Sequence, residues 1–159
     1  MKNFRLGRDY QLGDWVSAPV IVNENDVEWV NDRICRLELD DWECNGFDVG
    51  YAFVTKEHGI VGHGFNLKPI QLRVEHLLSN GFEYKDGLYV LSDKEGGWKI
   101  VLDDHGLNSC LWNMTVECFH KYETGGRYGH RVTVKENYIA VHHLQQAMRW
   151  CGIKRDFVI

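Results

Sequence analysis

Proline is scarce in this chain, with two residues in 159, and the sixteen glycines are spread along its length. This composition excludes a long flexible linker, which needs a run rich in such residues or in serine. A chain of this length suits one domain or two small lobes with a common core. With 44% hydrophobic and 26% charged residues, a globular protein is expected.

Cysteine is present without any motif that would pair it. The five cysteines, at positions 35, 44, 110, 118 and 151, are an odd number and include no Cys-x-x-C pair. The N-terminal sequence MKNFRLGRDY also lacks the apolar core of a signal peptide. We therefore expect reduced thiols and a cytoplasmic location.

A basic excess and long apolar runs are both missing. The net charge is −5 and the isoelectric point is about 5.9, whereas proteins that grip a phosphate backbone usually carry an excess of lysine and arginine. The charge balance therefore disfavours nucleic acid as a partner but allows a local basic patch. The apolar runs are far shorter than the roughly 20 residues that cross a bilayer, so no membrane partner is predicted.

Aromatic residues are abundant instead, with six tryptophans, seven tyrosines and seven phenylalanines. Residues 1–70 contain short apolar segments separated by tight polar turns, a pattern typical of small β-barrels and rolls. We therefore predict an N-terminal β-barrel or roll of SH3-like shape. Its strands are predicted at residues 15–16, 27–30, 34–39 and 47–55, and residues 20–22 either continue the first strand or pair with it.

Residues 71–159 are predicted to form an α+β lobe packed against this module, or one domain with it. A short helix over residues 73–80 should end at Gly81, with Phe82 folding back on it. Its buried side is predicted to contain Val74, Leu77 and Leu78. Strands follow at residues 88–91, 98–102, 111–120 and 130–134, the last two forming a hairpin.

The most regular pattern predicts a longer helix over residues 138–152. Its apolar positions recur with a helical period and should lie across the C-terminal sheet. They are Ala140, Val141, Leu144, Ala147, Met148 and Cys151. Asn137 is the expected N-cap and Gly152 the residue that ends the helix. The opposite side is expected to face water, and it contains His142, Gln145, Gln146 and Arg149. The fold class is therefore α+β, dominated by antiparallel sheet.

Three motifs in order carry a resemblance to a known family. They are LGDWV at residues 12–16 (or LGR at 6–8), PIQLRVEHLLSNGF at 69–82 and VHHLQQ at 141–146. Together they resemble the uncharacterised small proteins of gut Bacteroidetes and their prophages. Arg73 stands where that family has a helix-capping threonine, and Gln146 where it has asparagine. The resemblance implies a shared fold and a mobile-element context, and it supplies no catalytic residue.

Eight histidines raise the hypothesis of a metal site. Candidate donors are His58 and His63, Cys118 and His120, and the pair His142–His143. Adjacent helical residues point about 100° apart, so the last pair cannot easily share one ion. No established ligand spacing is present. The favoured interpretation assigns no catalytic, cofactor-binding or metal-binding residue, and a metal-dependent hydrolase remains an alternative.

A second alternative concerns aromatic residues of the N-terminal module. Trp15, Trp29 and Trp42, with Tyr51 and Phe53, could form a face that stacks on single-stranded nucleic acid or a peptide. The favoured interpretation places most of them in the core. The sequence thus predicts a non-enzymatic accessory protein of phage or mobile-element origin that binds a protein partner, and it indicates no oligomeric state.

Overall fold

The structure, a computed structural model, describes residues 10–23, 26–40, 50–62, 67–104, 112–121, 127–136 and 139–159. Contacts between Cα atoms divide the chain into two compact units, Gly7–Ile70 and a second that contains Gln71–Ile159. Each unit contains one antiparallel sheet, and both helices belong to the second. The expectation of a sheet-rich α+β protein is confirmed.

The first unit contains a five-stranded sheet in the order β4-β3-β2-β1-β5. Its strands are β1 (Trp15–Asn23), β2 (Asp26–Asp40), β3 (Gly50–Thr55), β4 (Val61–Gly62) and β5 (Lys68–Pro69). The two edge strands have two residues each and do not pair with one another. The sheet is therefore not closed, and the predicted barrel of SH3-like shape is not confirmed.

Strand β1 joins residues 15–16 and 20–22, which is one of the two predicted alternatives, whereas β2 joins two segments that were predicted as separate strands. Pro19 lies inside β1 although its nitrogen cannot donate a hydrogen bond. Strand β5 pairs with β1 only at Val16 and Ser17, so in the described residues Pro19 falls where β5 makes no pairing. Alternation then buries Val16 and Ala18 on one face of the strand.

A β-bulge interrupts the alternation that was predicted for residues 34–39. Ile34 pairs with Thr55 but Arg36 pairs with Val54, so Cys35 is an extra residue on β2. Ile34 is buried, whereas Cys35 and Arg36 are both exposed. A period of two cannot anticipate this shift, because the bulge inserts one residue.

The core of the first unit is small and lies on the buried face of its sheet. Phe53 packs on this core, with its ring edge-on to Tyr10 at a centroid distance of 5.9 Å. The buried members are Tyr10, Val16, Ala18, Ile34 and Leu67. Tryptophan does not contribute a buried member among the described residues, in contrast to the prediction that most aromatic residues of this module form its core.

The second unit is a meander in which each strand pairs with its neighbour along the chain, in the order β10-β9-β8-β7-β6. Its elements are α1 (Val74–Ser79), β6 (Glu83–Lys85), β7 (Leu88–Asp93), β8 (Trp98–Asp104), β9 (Trp112–Lys121), β10 (Arg127–Glu136) and α2 (Val141–Trp150). The predicted pairing of the last two strands is confirmed, and their connection at residues 122–126 lies outside the described residues.

Both helices end as predicted, at a glycine in the left-handed conformation. In α1, Gly81 has φ of 83° and the N–H of Phe82 donates to the carbonyl of Leu77 over 3.0 Å. In α2, Gly152 has φ of 75°. This arrangement is the Schellman motif, which satisfies carbonyl groups of the last helical turn.

The helix starts differ from the prediction, since the N-cap of α2 is Ala140 and not Asn137. The N–H of Ala140 donates to Nδ1 of His143 over 3.2 Å, and that of Arg73 donates to Nδ1 of His76 over the same distance. A histidine three residues into each helix thus supplies the half of a capping box that glutamate usually provides. In α1, the bond to His76 offsets part of the stabilisation that is lost because the side chain of Arg73 makes no capping hydrogen bond.

The buried side of α1 is narrower than predicted. Leu77 is fully buried and Val74 is half-buried, but Leu78 is 52% exposed. A helix of six residues covers less than two turns, so only one of its apolar positions points fully into the core. Neither helix in the described ranges is long and apolar enough to cross a membrane.

Candidate interaction face on the first sheet

One face of the β1–β2 hairpin carries large apolar side chains in cross-strand register. Pro19 lies opposite Trp29, and Ile21 lies opposite Val27. Paired residues of an antiparallel sheet project from the same face, as does every second residue along a strand. These four residues, which we call the exposed ladder, therefore share the face opposite to that of buried Val16.

The exposed ladder is largely accessible to solvent. Ile21 is 77% exposed, Val27 53% and Trp29 42%. Single exposed apolar residues are common on proteins, but contiguous patches mark interaction sites more often. Trp29 is therefore not one of the aromatic residues that form the core, because the register places its ring on the face away from the core.

Two cations accompany tryptophan rings on this face. Nζ of Lys68 lies 3.5 Å from the ring centroid of Trp29, and Cζ of Arg33 lies 4.7 Å from that of Trp15. The register explains both contacts, since Arg33 pairs with Trp15 and Lys68 pairs with Ser17. Each contact contributes about 0.5–1 kcal/mol at an exposed site. Positive charge therefore lies beside the exposed ladder.

The remaining aromatic candidates do not join this face among the described residues. Phe53 packs on the core with Tyr10. Trp42 and the side chain of Tyr51 lie outside the described residues. The aromatic set predicted from sequence thus divides into a core member, Phe53, and surface members, Trp29 and half-buried Trp15.

A buried carboxylate, that of Asp32, organises the turn after β3. Its Oδ1 accepts a hydrogen bond from the N–H of Arg33 over 2.6 Å and from that of Glu57 over 3.1 Å. Its Oδ2 accepts from the N–H of His58 and contacts Nδ1 of the same residue, both over 2.9 Å. These contacts fasten residues 57–58 to β2.

The charge of Asp32 depends on those contacts. Burial by itself would raise the pKa of this carboxyl, but hydrogen bonds from Glu57, His58 and Arg33 lower the pKa to about 2. The group is therefore a carboxylate at neutral pH, and it orients the imidazole of His58, whose side chain is 44% exposed. Since three backbone amides share the carboxylate, the arrangement is that of a structural clamp.

The metal hypothesis finds no cluster in the described ranges. No group of three His, Cys, Asp or Glu side chains there could hold a metal ion. His58 is paired with Asp32, while His63 and the side chain of His120 lie outside the described residues. The metal-dependent hydrolase therefore stays a prediction from sequence.

The described core cysteines lack the environment of a nucleophile. Cys118 and Cys151 are both buried, and Sγ of Cys151 contacts the carbonyl of Val116 over 3.5 Å. Burial raises the pKa of both thiols, that of Cys151 to about 11. Both remain protonated at neutral pH and are poor nucleophiles. Cys151 is the buried residue that the helical pattern predicted.

Three of the four α2 residues that were expected to face water are buried, and the fourth, Arg149, is exposed as predicted. His142 and Gln146 are 3% exposed and Gln145 is 6% exposed. Burial, followed by the nearby charges of His143 and Arg149, lowers the pKa of His142 to about 3. His142 is therefore neutral at physiological pH. Hydrophobic periodicity identified one buried face correctly but could not show that a polar face is covered as well.

Sequence reasoning overlooked the exposed ladder because it did not pair β1 and β2 residue by residue as one hairpin. Pro19 and Ile21 are two residues apart, as are Val27 and Trp29, and the polar segment 23–26 lies between the two pairs. If the two pairs had been placed in one hairpin, this spacing would have put all four residues on one face.

Comparison of the chain with known protein families, with curated proteins and with solved structures finds no match.

Proposed function

We propose that the protein is a non-enzymatic binding module that contacts a protein partner through the exposed ladder. The observation that carries the proposal is the cross-strand set of Ile21, Val27 and Trp29 left in solvent on one sheet face. Complete burial of each such side chain contributes about 1.5–3 kcal/mol. Tryptophan is also enriched among residues that dominate binding energy at protein interfaces.

The charges beside the exposed ladder favour a particular partner surface. Lys68 and Arg33 place positive charge next to the rings of Trp29 and Trp15. A partner with apolar side chains flanked by carboxylates would complement this face, and such complementarity raises association rates and selectivity. The protein as a whole is acidic, with a net charge of −5, so these two cations differ in sign from its net charge.

The face of the sheet is a better docking surface here than its edge. In the described residues β5 covers β1 only at Val16 and Ser17, which leaves the edge of β1 beyond them without a partner strand. Pro19 lies in that segment and cannot donate the backbone hydrogen bond that strand addition requires. We therefore assign binding to side chains of the exposed ladder. We further propose that the protein acts in a phage or mobile element, because its three sequence motifs resemble proteins from that context.

The test is affinity capture from the source cell, with the full chain as bait. Wild-type protein is compared with Trp29→Ala and Ile21→Ser. Both substitutions are at exposed positions, so both variant proteins should fold normally. Leu12→Ser is the matched control, since Leu12 is a 51% exposed apolar residue of the same unit outside the ladder. We expect one partner to be retained by wild type and control, and its Kd to rise about tenfold or more in both ladder variants.

Two results would contradict the proposal. One is a partner that binds the ladder variants as tightly as wild type, and the other is the absence of any partner in repeated captures. Size-exclusion chromatography adds a third arm. A dimer lost in Trp29→Ala would show that the ladder joins two copies of this chain and not a different protein.

A second candidate function is binding of single-stranded nucleic acid, because each tryptophan–cation pair joins a stacking ring to a positive charge. Titration with an unstructured oligonucleotide at increasing salt tests it. This function requires binding that weakens linearly on a log–log plot against salt and weakens further in Trp15→Ala. Binding that is absent, or that does not depend on salt, would exclude it.

A further inference from the structure

A cleft of about 520 Å³ lies on the second unit, at the end of the sheet where β7 turns into β8. This volume falls within the roughly 300–1,000 Å³ typical of small-molecule sites. Six of the residues that line the cleft have apolar or charged side chains that could contact a ligand. They are Val90, Asp93, Lys94, Trp98, Lys99 and Phe119.

The turn that forms one wall of the cleft is held in place by hydrogen bonds. Oδ1 of Asp93 accepts from the N–H of Glu95 and of Gly96, both over 2.9 Å. The carbonyl of Gly97 accepts from the N–H of Phe119 over 2.6 Å. These bonds join the turn to itself and to β9, so the wall is formed before any ligand arrives.

Three of the residues that line the cleft have large apolar side chains. Phe119, on β9, is 49% exposed. Val90, on β7, and Trp98, on β8, are partly buried. Together these side chains provide flat apolar surface, on which a planar ligand can pack with about 0.5–1.5 kcal/mol per aromatic pair.

Three hydrogen-bond donors of the cleft, on Lys94, Trp98 and Lys99, are available to a ligand. In the described part of the chain, Lys94 and Lys99 form no ion pair and Nε1 of Trp98 forms no hydrogen bond. Glu117, opposite Lys99 in the sheet, is paired with Arg131 over 2.9 Å. Two lysines against the single carboxylate of Asp93 leave the cleft with a net positive charge.

We propose that this cleft binds a small planar aromatic molecule that carries a carboxylate. The ring would pack on Phe119, and the carboxylate would lie near Lys94 and Lys99. The site is separate from the exposed ladder of the first unit and does not depend on the proposed partner binding.

The experiment uses three indole probes of similar size and different charge: indole-3-acetate, 3-methylindole and tryptamine. Each is titrated into the ¹⁵N-labelled full chain, and the indole N–H signal of Trp98 and the backbone signals of Lys99 and Phe119 are followed. We expect saturable shifts with the anion, binding at least about threefold weaker with the neutral probe, and the weakest binding with the cation.

Variants then test the two parts of the site. Lys99→Gln should weaken binding of the anion about two- to fivefold while leaving the neutral probe unchanged. Phe119→Ala should weaken both probes about tenfold. Lys154→Gln, an exposed lysine of the same unit outside the cleft, is the control and should change nothing. The amide spectrum of each variant reports whether it is folded.

Three outcomes would overturn the proposal. They are no saturable shift at the cleft with millimolar indole-3-acetate, equal affinity for the anionic and cationic probes, and wild-type affinity in a folded Phe119→Ala protein. The second outcome would assign the shifts to apolar adsorption alone.

Discussion

Asp32 is a fully buried carboxylate that stabilises the first unit only while it is charged. Its pKa in the folded chain is about 2, against 3.8 for an unperturbed aspartate. A lowered folded pKa means that the stabilising contribution is complete above about pH 4 and is lost as the pH falls towards 2. At about 1.36 kcal/mol per pKa unit, this contribution is roughly 2.5 kcal/mol at neutral pH.

We therefore predict that Asp32→Asn lowers the free energy of unfolding of the first unit by about 2–3 kcal/mol at pH 7. The amide keeps the shape of the side chain but removes the charge, and its NH₂ group faces backbone donors at Glu57 and His58. Urea unfolding, followed through the amide signals of Ile34, measures the change. The difference from wild type should shrink by about 1 kcal/mol at pH 3.

Asp26→Asn is the control for this prediction, because Asp26 is an exposed aspartate at the start of the same strand. It should change the stability by less than about 0.5 kcal/mol at either pH. A difference between Asp32→Asn and wild type that stays constant from pH 7 to pH 3 would contradict the prediction, since it would show that the lost hydrogen-bond acceptor, and not the lost charge, destabilises the variant.

The roles of single residues were the hardest to predict from the sequence. Asp32 and His58 are 26 residues apart, and nothing in their local sequence marks them as partners. Most of the N-terminal aromatic residues were expected in the core, yet the register of Trp29 places it on the surface. His142 was assigned to the surface by its polarity, yet it is buried. Each case is decided by contacts that are distant in sequence.

At the scale of elements, turn glycines show how local and long-range constraints differ. Gly87 and Gly97 both lie in hairpin turns with positive φ, of 82° and 68°. A Cβ added to Gly87 would meet no atom within 4 Å, whereas one added to Gly97 would lie 2.5 Å from the carbonyl oxygen of Phe119. The two positions share the backbone requirement for glycine and differ in the space around them.

We predict that Gly87→Ala lowers the free energy of unfolding by about 1 kcal/mol, because alanine is strained in the left-handed region. Gly97→Ala should lower it by about 1–3 kcal/mol more, because the added methyl group must displace β9. Urea unfolding of the second unit, followed through the amide of Ile100, compares the two. Equal effects would show that β9 moves away without strain.

Elements were predicted well where local chemistry determines them. The stop at Gly81 and the helix end at Gly152 follow from backbone conformation within a few residues, and both are confirmed. The continuity of β2 was not predicted, and that of β1 was one of two alternatives, because strand pairing supports the bulge at Cys35 and Pro19. The short strands β4 and β5 exist only through pairing with a longer strand, so their two-residue sequences carry no signal of their own.

At the scale of the whole molecule, the two units carry buried titratable groups with different acid sensitivity. In the second unit, burial lowers the pKa of His142 from 6.5 to about 3. In the first, the clamp lowers the pKa of Asp32 to about 2. His142 therefore begins to reduce stability as the pH falls below about 6.5, and Asp32 only below about 4.

We predict that acid weakens the second unit first. Between pH 7.5 and pH 5 a neutral buried histidine with these pKa values reduces the free energy of unfolding by about 2 kcal/mol, because the unfolded chain binds the proton and the folded chain does not. Amide exchange protection, corrected for intrinsic rates, should fall at Ile100 over this range and stay constant at Ile34.

His142→Gln should remove most of this fall in protection. A small remainder should come from His76, whose pKa burial also lowers. His130→Gln, at an exposed histidine of the same unit, should retain it. A parallel loss of protection at both amides would contradict the prediction, since it would mean that the two units lose stability together through a group other than His142.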